Sequence, residues 1–566
     1  MRQLRVAAAM TAVAVLFVIA NRGAYKGFFS ADDLNNLAWT SFLDARAWAE
    51  GMVSPWFSES NFRPVGHGFY ALFGNLWGLA FRPFVWSMHL VHLANVALLW
   101  LFLRRMGAGE RGAALAALLF AFHMACFDAY WKPMFLFDVL VCLFCLLTLL
   151  LYLSRWWWAG LITLWIAYKS KEMAVALPGF LLAYEYWVGG RRWRRVVPFA
   201  VLSGWFTVQA LWKRPGQATS YTLQFTPEAV WKTASFYSSE VLFLPFAGLA
   251  LIAVFFVCKE PKVRLGIAGM AVLMGPLWFL PERLFSVYLY LPLAAGALAV
   301  AFGTGKWRTW AVAAVLAAWI PYNYMVMREK RKAALAIADE NRAYVAAVER
   351  FHTGHPGVRN VFARTRPRFM ESWGVEGAFR WFYRQPDFRV DVPEGTGAKA
   401  VLAGDQLAVV GWNPYLKSLC AVQRDTTNEP ARYEFGEEEP VWALGEGWLW
   451  QNGGFRWTGM KATARLRRPA AAKGFEVTLN ISPRQIADQG EVAVEAVVDG
   501  TALGVRRFSR NGWQKAEWTI PPGPERVTGI ELRFPNPYHL KGRVGEPLGA
   551  AVVSFGFAGH SRLQEK

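Results

Sequence analysis

The chain has 566 residues, 55% of them hydrophobic and only 18% charged, with a mean hydropathy of +0.21. Soluble domains carry about a quarter charged residues, so this chain is not soluble throughout, and 16% aromatics exclude a disordered one. The net charge of +20 would suit a nucleic-acid binder, but 27 Lys/Arg face 14 Asp/Glu up to Met327 and 34 face 27 beyond it, so most of the excess lies in short basic loops of the apolar half, which points to membrane topology and no nucleic-acid partner.

Residues 1–327 read as apolar runs separated by short polar breaks. Spanning takes about 20 mostly apolar residues. The runs lie near 4–20, 86–103, 112–127, 135–153, 158–170, 172–188, 197–212, 237–257, 265–280, 286–303 and 309–327, giving about eleven expected spans. Arg2 and Arg5 before Val6–Ala20 would also suit a signal peptide; ten further runs favour an uncleaved helix. With the N-terminus inside, the inner loops hold 15 basic residues against three acids, which sets the orientation. An odd number of spans then puts the C-terminal part outside. Two outer loops are long, Asn21 to about Val85 and Lys213 to about Phe236, and the first contains an amphipathic stretch at 34–50 suited to the membrane surface.

The first outer loop opens with FFSADDLNN. Asp32 and Asp33 are either a solvated cap for a helix at Leu34 or a functional carboxylate pair. NFRPVGHGFY follows, with Arg63 before Pro64 and with His67. Such an Arg can fork onto a phosphate or snorkel to headgroups. In HLVHLAN, His89, His92 and Asn95 share one helix face, for interhelical hydrogen bonds rather than a metal. HMACFDAYWKPMFLFD brings His123, Asp128, Lys132 and Asp138 to the next outer turn. AYKSKEMAVALP then brings Lys169, Lys171 and Glu172, and PERLFSVYLYLP brings Glu282, Arg283, Tyr288 and Tyr290. In this topology all fall at one membrane face, where ionisable residues are by default functional. Cys142 and Cys145 spell CxxC inside an apolar run and read as core; the five cysteines are scattered and give no disulfide framework. No Walker A loop, GxGxxG turn or HExxH helix is present, which argues against an ATP-driven pump.

Beyond the last span, residues 328–355 read as an exit helix. From 356 to 440, VRNVFA and FRVDV flank a helical RFMESWGVEGAFRWFY, and KAVLAGDQLAVVGW adds strand, which fits a small α/β domain. From 441 to 566 alternating runs read as all-β, with an Asp499-Gly500 hairpin turn, and a β-sandwich of jelly-roll type is expected. Trp448, Trp450 and Trp457 either stack on sugar rings, making this a carbohydrate-binding module, or fill the core.

The ordered set ADD, NFRPVGH, HLVHLAN, FHMACFDAYW, SKEMAVALP and RLFSVYLYLP, over roughly residues 25–300, resembles the polytopic GT-C glycosyltransferases that use polyprenyl-phosphate-linked sugars. It looks most like the branch of protein O-mannosyltransferases and aminoarabinose transferases, although the family's Glu before a Trp is Asp128 here and its Pro after the third-helix His is Met124. The β tail resembles those attached to bacterial membrane glycosyltransferases. The resemblance implies a GT-C membrane fold and a general-base aspartate in the first outer loop, matched best by Asp32 with Asp33 as neighbour. It implies phosphate-binding cations, matched by Arg63, Lys171 and Arg283. His67, His92, Asp128, Lys132, Glu172, Tyr288 and Tyr290 would hold sugar or acceptor or support those groups. No cofactor is expected to be required; Mg²⁺ or Mn²⁺ could bind only through the two aspartates. The implied activity moves a sugar from a polyprenyl-phosphate donor, undecaprenyl phosphate in bacteria, to an acceptor hydroxyl on a glycan, lipid or protein, with inversion. The expected location is the bacterial inner membrane, with a cytoplasmic N-terminus and a periplasmic C-terminal part. The rival readings are a non-enzymatic carrier or transporter of lipid-linked glycan, and a ligase or polymerase using a diphosphate carrier.

Overall fold

The structure, a computed structural model, describes residues 2–56, 62–212, 221–305, 307–385 and, with short interruptions, 387–558. It divides into two compact units, residues 1–339 and 340–566.

The first unit is helical. After α1 (Arg2–Ala20) come three short helices, α2 (Ala31–Thr40), α3 (Ala45–Val53) and α4 (Pro64–Trp77). Next are α5 (Phe81–Arg105), α6 (Glu110–Phe122), α7 (Phe127–Trp131) and α8 (Leu136–Tyr152). They are followed by α9 (Gly160–Ser170), α10 (Leu177–Trp187) and α11 (Trp193–Trp212). The unit continues with α12 (Pro227–Leu242), α13 (Ala250–Val257), α14 (Pro261–Leu273) and α15 (Tyr290–Gly303), and the 46-residue α16 (Thr309–Gly354) begins in this unit and ends in the second.

Among the described residues five helical runs are long and apolar enough to span a membrane: Phe81–Arg105, Glu110–Trp131, Pro133–Tyr152, Ser286–Gly303 and Thr309–Gly354. The pair α12–α13, bent by 92°, makes a sixth if counted as one span. The eleven expected spans are therefore too many. The runs at 158–170, 172–188 and 265–280 form α9, α10 and α14, of 11, 11 and 13 residues. At 1.5 Å per residue such helices cover about 17–20 Å of a core roughly 30 Å thick. Tight 3₁₀ turns at Glu172–Ala176 and Gly275–Phe279 occupy the rest of two of those runs. With the count changed, parity no longer assigns a side to the second unit. The last span and the exit helix are one continuous helix, α16.

The helices meet where small residues let backbones approach. A Cβ on Gly112 would lie 2.2 Å from the Ala301 carbonyl oxygen, so α6 and α15 touch through that glycine. Cys126, Cys142 and Cys145 are buried, as core residues.

The second unit combines two sheets of one sandwich with a smaller sheet. β1 (Asn360–Ala363), α17 (Ser372–Tyr383), β2 (Arg389–Asp391), β3 (Leu407–Asn413) and β4 (Ser418–Gln423) give the strand order β2-β1-β3-β4. β1 pairs parallel to β2 and β3, and β4 is antiparallel. β5 (Arg432–Glu434) then pairs with the last strand, so the sandwich begins before residue 441. The remaining strands are β6 (Trp448–Asn452), β7 (Phe455–Gly459), β8 (Lys461–Arg468), β9 (Gly474–Ile481), β10 (Val492–Val498), β11 (Thr501–Phe508), β12 (Gly512–Thr519), β13 (Arg526–Arg533) and β14 (Leu548–Ala558). They form sheets β11-β10-β13-β8 and β12-β9-β14-β7-β6. The alternating burial of β9 matches its period-two sequence, and residues from both sheets, with Leu407 and Val409 of β3, fill one core. Asp499 and Gly500 have φ of 53° and 78°, the left-handed pair that a two-residue type I′ hairpin needs.

Candidate functional site

The first candidates sit on the first turn of α2. Ser30 is its N-cap, and the Ser-x-x-Asp spacing brings Asp33 back over it. The Ser30 N–H and Oγ–H both donate to Asp33 Oδ2, at 2.8 and 2.7 Å. The Tyr70 hydroxyl of α4 donates to Oδ1 at 2.6 Å. Asp33 is fully buried, and that burial pushes its carboxyl up to about 6 despite the opposing hydrogen bonds from Ser30 and Tyr70. The pair expected at 32–33 thus separates: Asp33 is the structural member, while Asp32 is half-buried on the same turn. Among the described residues no group of three or more His, Cys, Asp or Glu converges on one point.

Arg63 is the N-cap of α4. Pro64 at the first helical position holds it extended, with φ −113° and ψ 90°. Its backbone N–H donates to His67 Nδ1 at 2.9 Å, which requires the neutral ring with its proton on Nε2. Burial, and then the Arg63 charge, push His67 down to about 3. His67 therefore holds the Arg63 backbone and brings no charge. The Arg63 guanidinium forks onto Glu172, Nε to Oε2 at 3.0 Å and Nη2 to Oε1 at 2.9 Å, and lies 5.4 Å from the centre of the Phe137 ring.

Lys171 caps α9 in extended conformation, which aims its side chain at α8. Its Nζ donates to Asp138 Oδ1 at 2.7 Å, with side chains only 9% and 4% exposed. The ammonium also lies 4.5 Å from the Tyr288 ring centre. The Tyr288 hydroxyl is 3.5 Å from Arg283 Nη2. Arg283 stacks 4.0 Å over Tyr221, to whose hydroxyl it also donates, and 5.2 Å over Phe285. One series of contacts runs from Asp33 through Tyr70, Phe137, Arg63 and Glu172, and a second runs from Asp138 through Lys171 and Tyr288 to Arg283; they meet at the chain neighbours Phe137 and Asp138. Arg63 and Lys171 are each paired with a carboxylate, whereas Arg283 meets the aromatic residues Tyr221, Tyr288 and Phe285.

Other expected residues make contacts of their own. Asp128 and Lys132 pair with each other at 2.9 Å. His92 is buried between helices: Nδ1 accepts from the Tyr290 hydroxyl at 2.6 Å, and Nε2 donates to the Ala121 carbonyl at 3.1 Å. Asn95 also donates to Tyr290, at 3.1 Å. His92 and Tyr290 thus bind helices together, as polar groups in a bundle do. Trp448 presents no face to a glycan. It is buried, donates to the Thr463 carbonyl at 2.7 Å and stacks 5.1 Å from Phe555. Trp457 is half-buried with its ring 6.2 Å from Tyr538. The side chain of Trp450 lies outside the described residues.

Sequence reasoning missed Tyr221, Tyr70 and Phe137. Tyr70 carried a signal, being seven residues after Arg63 on the same helix face as His67. Phe137 and Tyr221 carried none, since an aromatic beside a cation is legible only once the chain has folded. No protein-family model matches the chain, and no curated protein matches it.

Proposed function

We propose that the chain is an inverting membrane glycosyltransferase of GT-C type, taking its sugar from a polyprenyl-phosphate donor. The observation that supports this reading is that Arg63, Lys171 and Arg283, from three distant segments, lie in one set of polar and aromatic contacts that reaches Asp33 on the Asp32 turn, with Arg283 held by aromatic rings. A guanidinium held by rings suits the leaving group, a phosphate released from its bond to the sugar.

In this mechanism Asp32 takes the proton of the acceptor hydroxyl. The acceptor oxygen attacks the anomeric carbon, the bond from that carbon to the phosphate oxygen breaks, and its electron pair leaves with polyprenyl phosphate. A single displacement inverts the centre, so no nucleophilic carboxylate is needed. Arg63, Lys171 and Arg283 stabilise the departing phosphate, while Glu172 and Asp138 hold two of the cations in place. Asp33 holds the helix turn that presents Asp32. The site then lies at the outer face of a bacterial inner membrane, where the donor arrives in the bilayer; the acceptor is a hydroxyl of a glycan, lipid or protein.

The test uses full-length protein in lipid nanodiscs, polyprenyl-phosphate sugars and membrane extract, with free polyprenyl phosphate followed by mass spectrometry. Asp32→Asn should lower release by about 10²–10⁴-fold, the usual worth of a general base. Donor binding without release by either protein would move the reading to a carrier. Release by both would remove Asp32 as base.

A further inference from the structure

A second polar site lies at the opposite end of the same helices. A cavity of about 360 Å³ opens where four chain segments end, lined by Arg105 and Met106 after α5, Leu153 and Ser154 after α8, Tyr184 of α10, and Lys262 of α14. Asp138 lies in the first turn of α8 and Ser154 just past its end, so this cavity is about 24 Å from the Asp138–Lys171 pair at 1.5 Å per residue.

Its chemistry is cationic. Arg105 donates one Nη1–H to the Leu150 carbonyl at 3.1 Å. The Lys262 ammonium sits 4.5 Å over the Phe302 ring. No carboxylate lines the cavity among the described residues. The nearby Glu185 is buried and committed, accepting from the Tyr152 hydroxyl at 2.8 Å and from the Arg192 N–H at 2.8 Å. Glu260 caps α14 through the Lys262 N–H. Two cations therefore line the cavity with the Tyr184 hydroxyl beside them, Ser154 Oγ being engaged with the Leu151 carbonyl at 2.7 Å, and Met106 and Leu153 supply an apolar flank. A guanidinium, an ammonium and the Tyr184 hydroxyl around a small space match a phosphate group. The apolar flank and the place at helix ends match a phosphate carried on a lipid.

We propose that this cavity binds the phosphate of an anionic phospholipid headgroup, separate from the site of sugar transfer and independent of that activity. The test is native mass spectrometry of the full-length protein equilibrated with equal amounts of phosphatidylglycerol and phosphatidylcholine. Wild type should retain phosphatidylglycerol preferentially. An Arg105→Gln/Lys262→Gln variant should lose about tenfold or more of that preference, given the strength of basic residues near anionic lipid. Lys262→Arg, which keeps the charge, should retain it. Inorganic phosphate in a parallel arm distinguishes the sources: displacement of the lipid by millimolar phosphate assigns the cavity to free phosphate, and persistence assigns it to the lipid. If the double variant unfolds earlier than wild type, Lys262→Gln and Tyr184→Phe singly carry the comparison. Equal retention of the two lipids by wild type, or an unchanged preference in folded variants, overturns the proposal.

Discussion

The two ends of the helical unit use the same basic residue types in different chemistry. At one end Lys171 and Arg63 meet carboxylates, Asp138 and Glu172, and aromatic rings. At the other, Arg105 donates to the Leu150 carbonyl, Arg104 to that of Ala108, and Arg264 to those of Phe255 and Cys258. The second pattern completes helix C-termini, whose last carbonyls lack partners and carry partial negative charge. The first completes nothing in the backbone. Arg105 uses only one of its N–H groups in this way and keeps others for the cavity, and counts of Lys and Arg by loop cannot tell the two patterns apart.

The largest effect follows from the buried pair. Lys171→Met or Asp138→Leu alone leaves one uncompensated charge in an apolar surround, at a cost of about 3–5 kcal/mol. The double substitution removes both charges and should recover most of that stability. Thermal unfolding of the helical circular dichroism signal in nanodiscs measures all three variants. A double variant as unstable as the singles would mean that the pair is held by geometry rather than by mutual neutralisation. The same double variant, folded, should still fail to release polyprenyl phosphate if the cation serves a leaving group.

How much of this was legible follows the same division. The helical half, β1 to β3 and every strand from Gly474 onward could be read, while β4 could not; along β9 burial alternates in step with the sequence. The span count could not. Hydropathy sums composition, whereas Lys171 and Gly275 end helices through backbone geometry that composition does not encode. The break between α12 and α13 passes through Phe243 and Phe246, both at positive φ, where no glycine warned of a turn. At the site, the ordered polar motifs identified Arg63, Lys171 and Arg283 as a set. They did not reveal that Asp33 belongs to Ser30 and Tyr70, nor that Trp448 fills the sandwich core. A carboxylate's partners and an indole's burial depend on segments tens of residues away.

Asp33 sharpens the comparison through pH. Its folded carboxyl lies at about 6 against an ordinary value of 3.8, mainly because of burial. Its contribution to stability is therefore fully present below about pH 4 and is lost as pH rises through 6. The stability of wild type relative to Asp33→Asn should fall across that window by on the order of 2 kcal/mol. Asparagine keeps the shape and offers an oxygen to Ser30, so the variant should fold. Unfolding midpoints of both proteins from pH 4 to 7 check this, and a difference that stays flat with pH would remove the raised carboxyl.

At the opposite end, Arg105→Gln loses one hydrogen bond to a helix-terminal carbonyl that neighbouring water can replace. About 0.5–1.5 kcal/mol is the expected cost, well under that of opening the Lys171–Asp138 pair. Smaller still is Lys232, whose ion pair with Glu282 spans 2.8 Å with side chains 50% and 58% exposed. Exposed pairs contribute roughly 0.2–1 kcal/mol and are screened by salt. Lys232→Gln should therefore shift the unfolding midpoint little, and raising ionic strength should erase the difference. A loss comparable to that of Lys171→Met, persisting at high salt, would show that charge near Arg283 is not divided into a buried working set and a solvated periphery, and the contrast between a committed and an incidental cation would fail where it is drawn most finely.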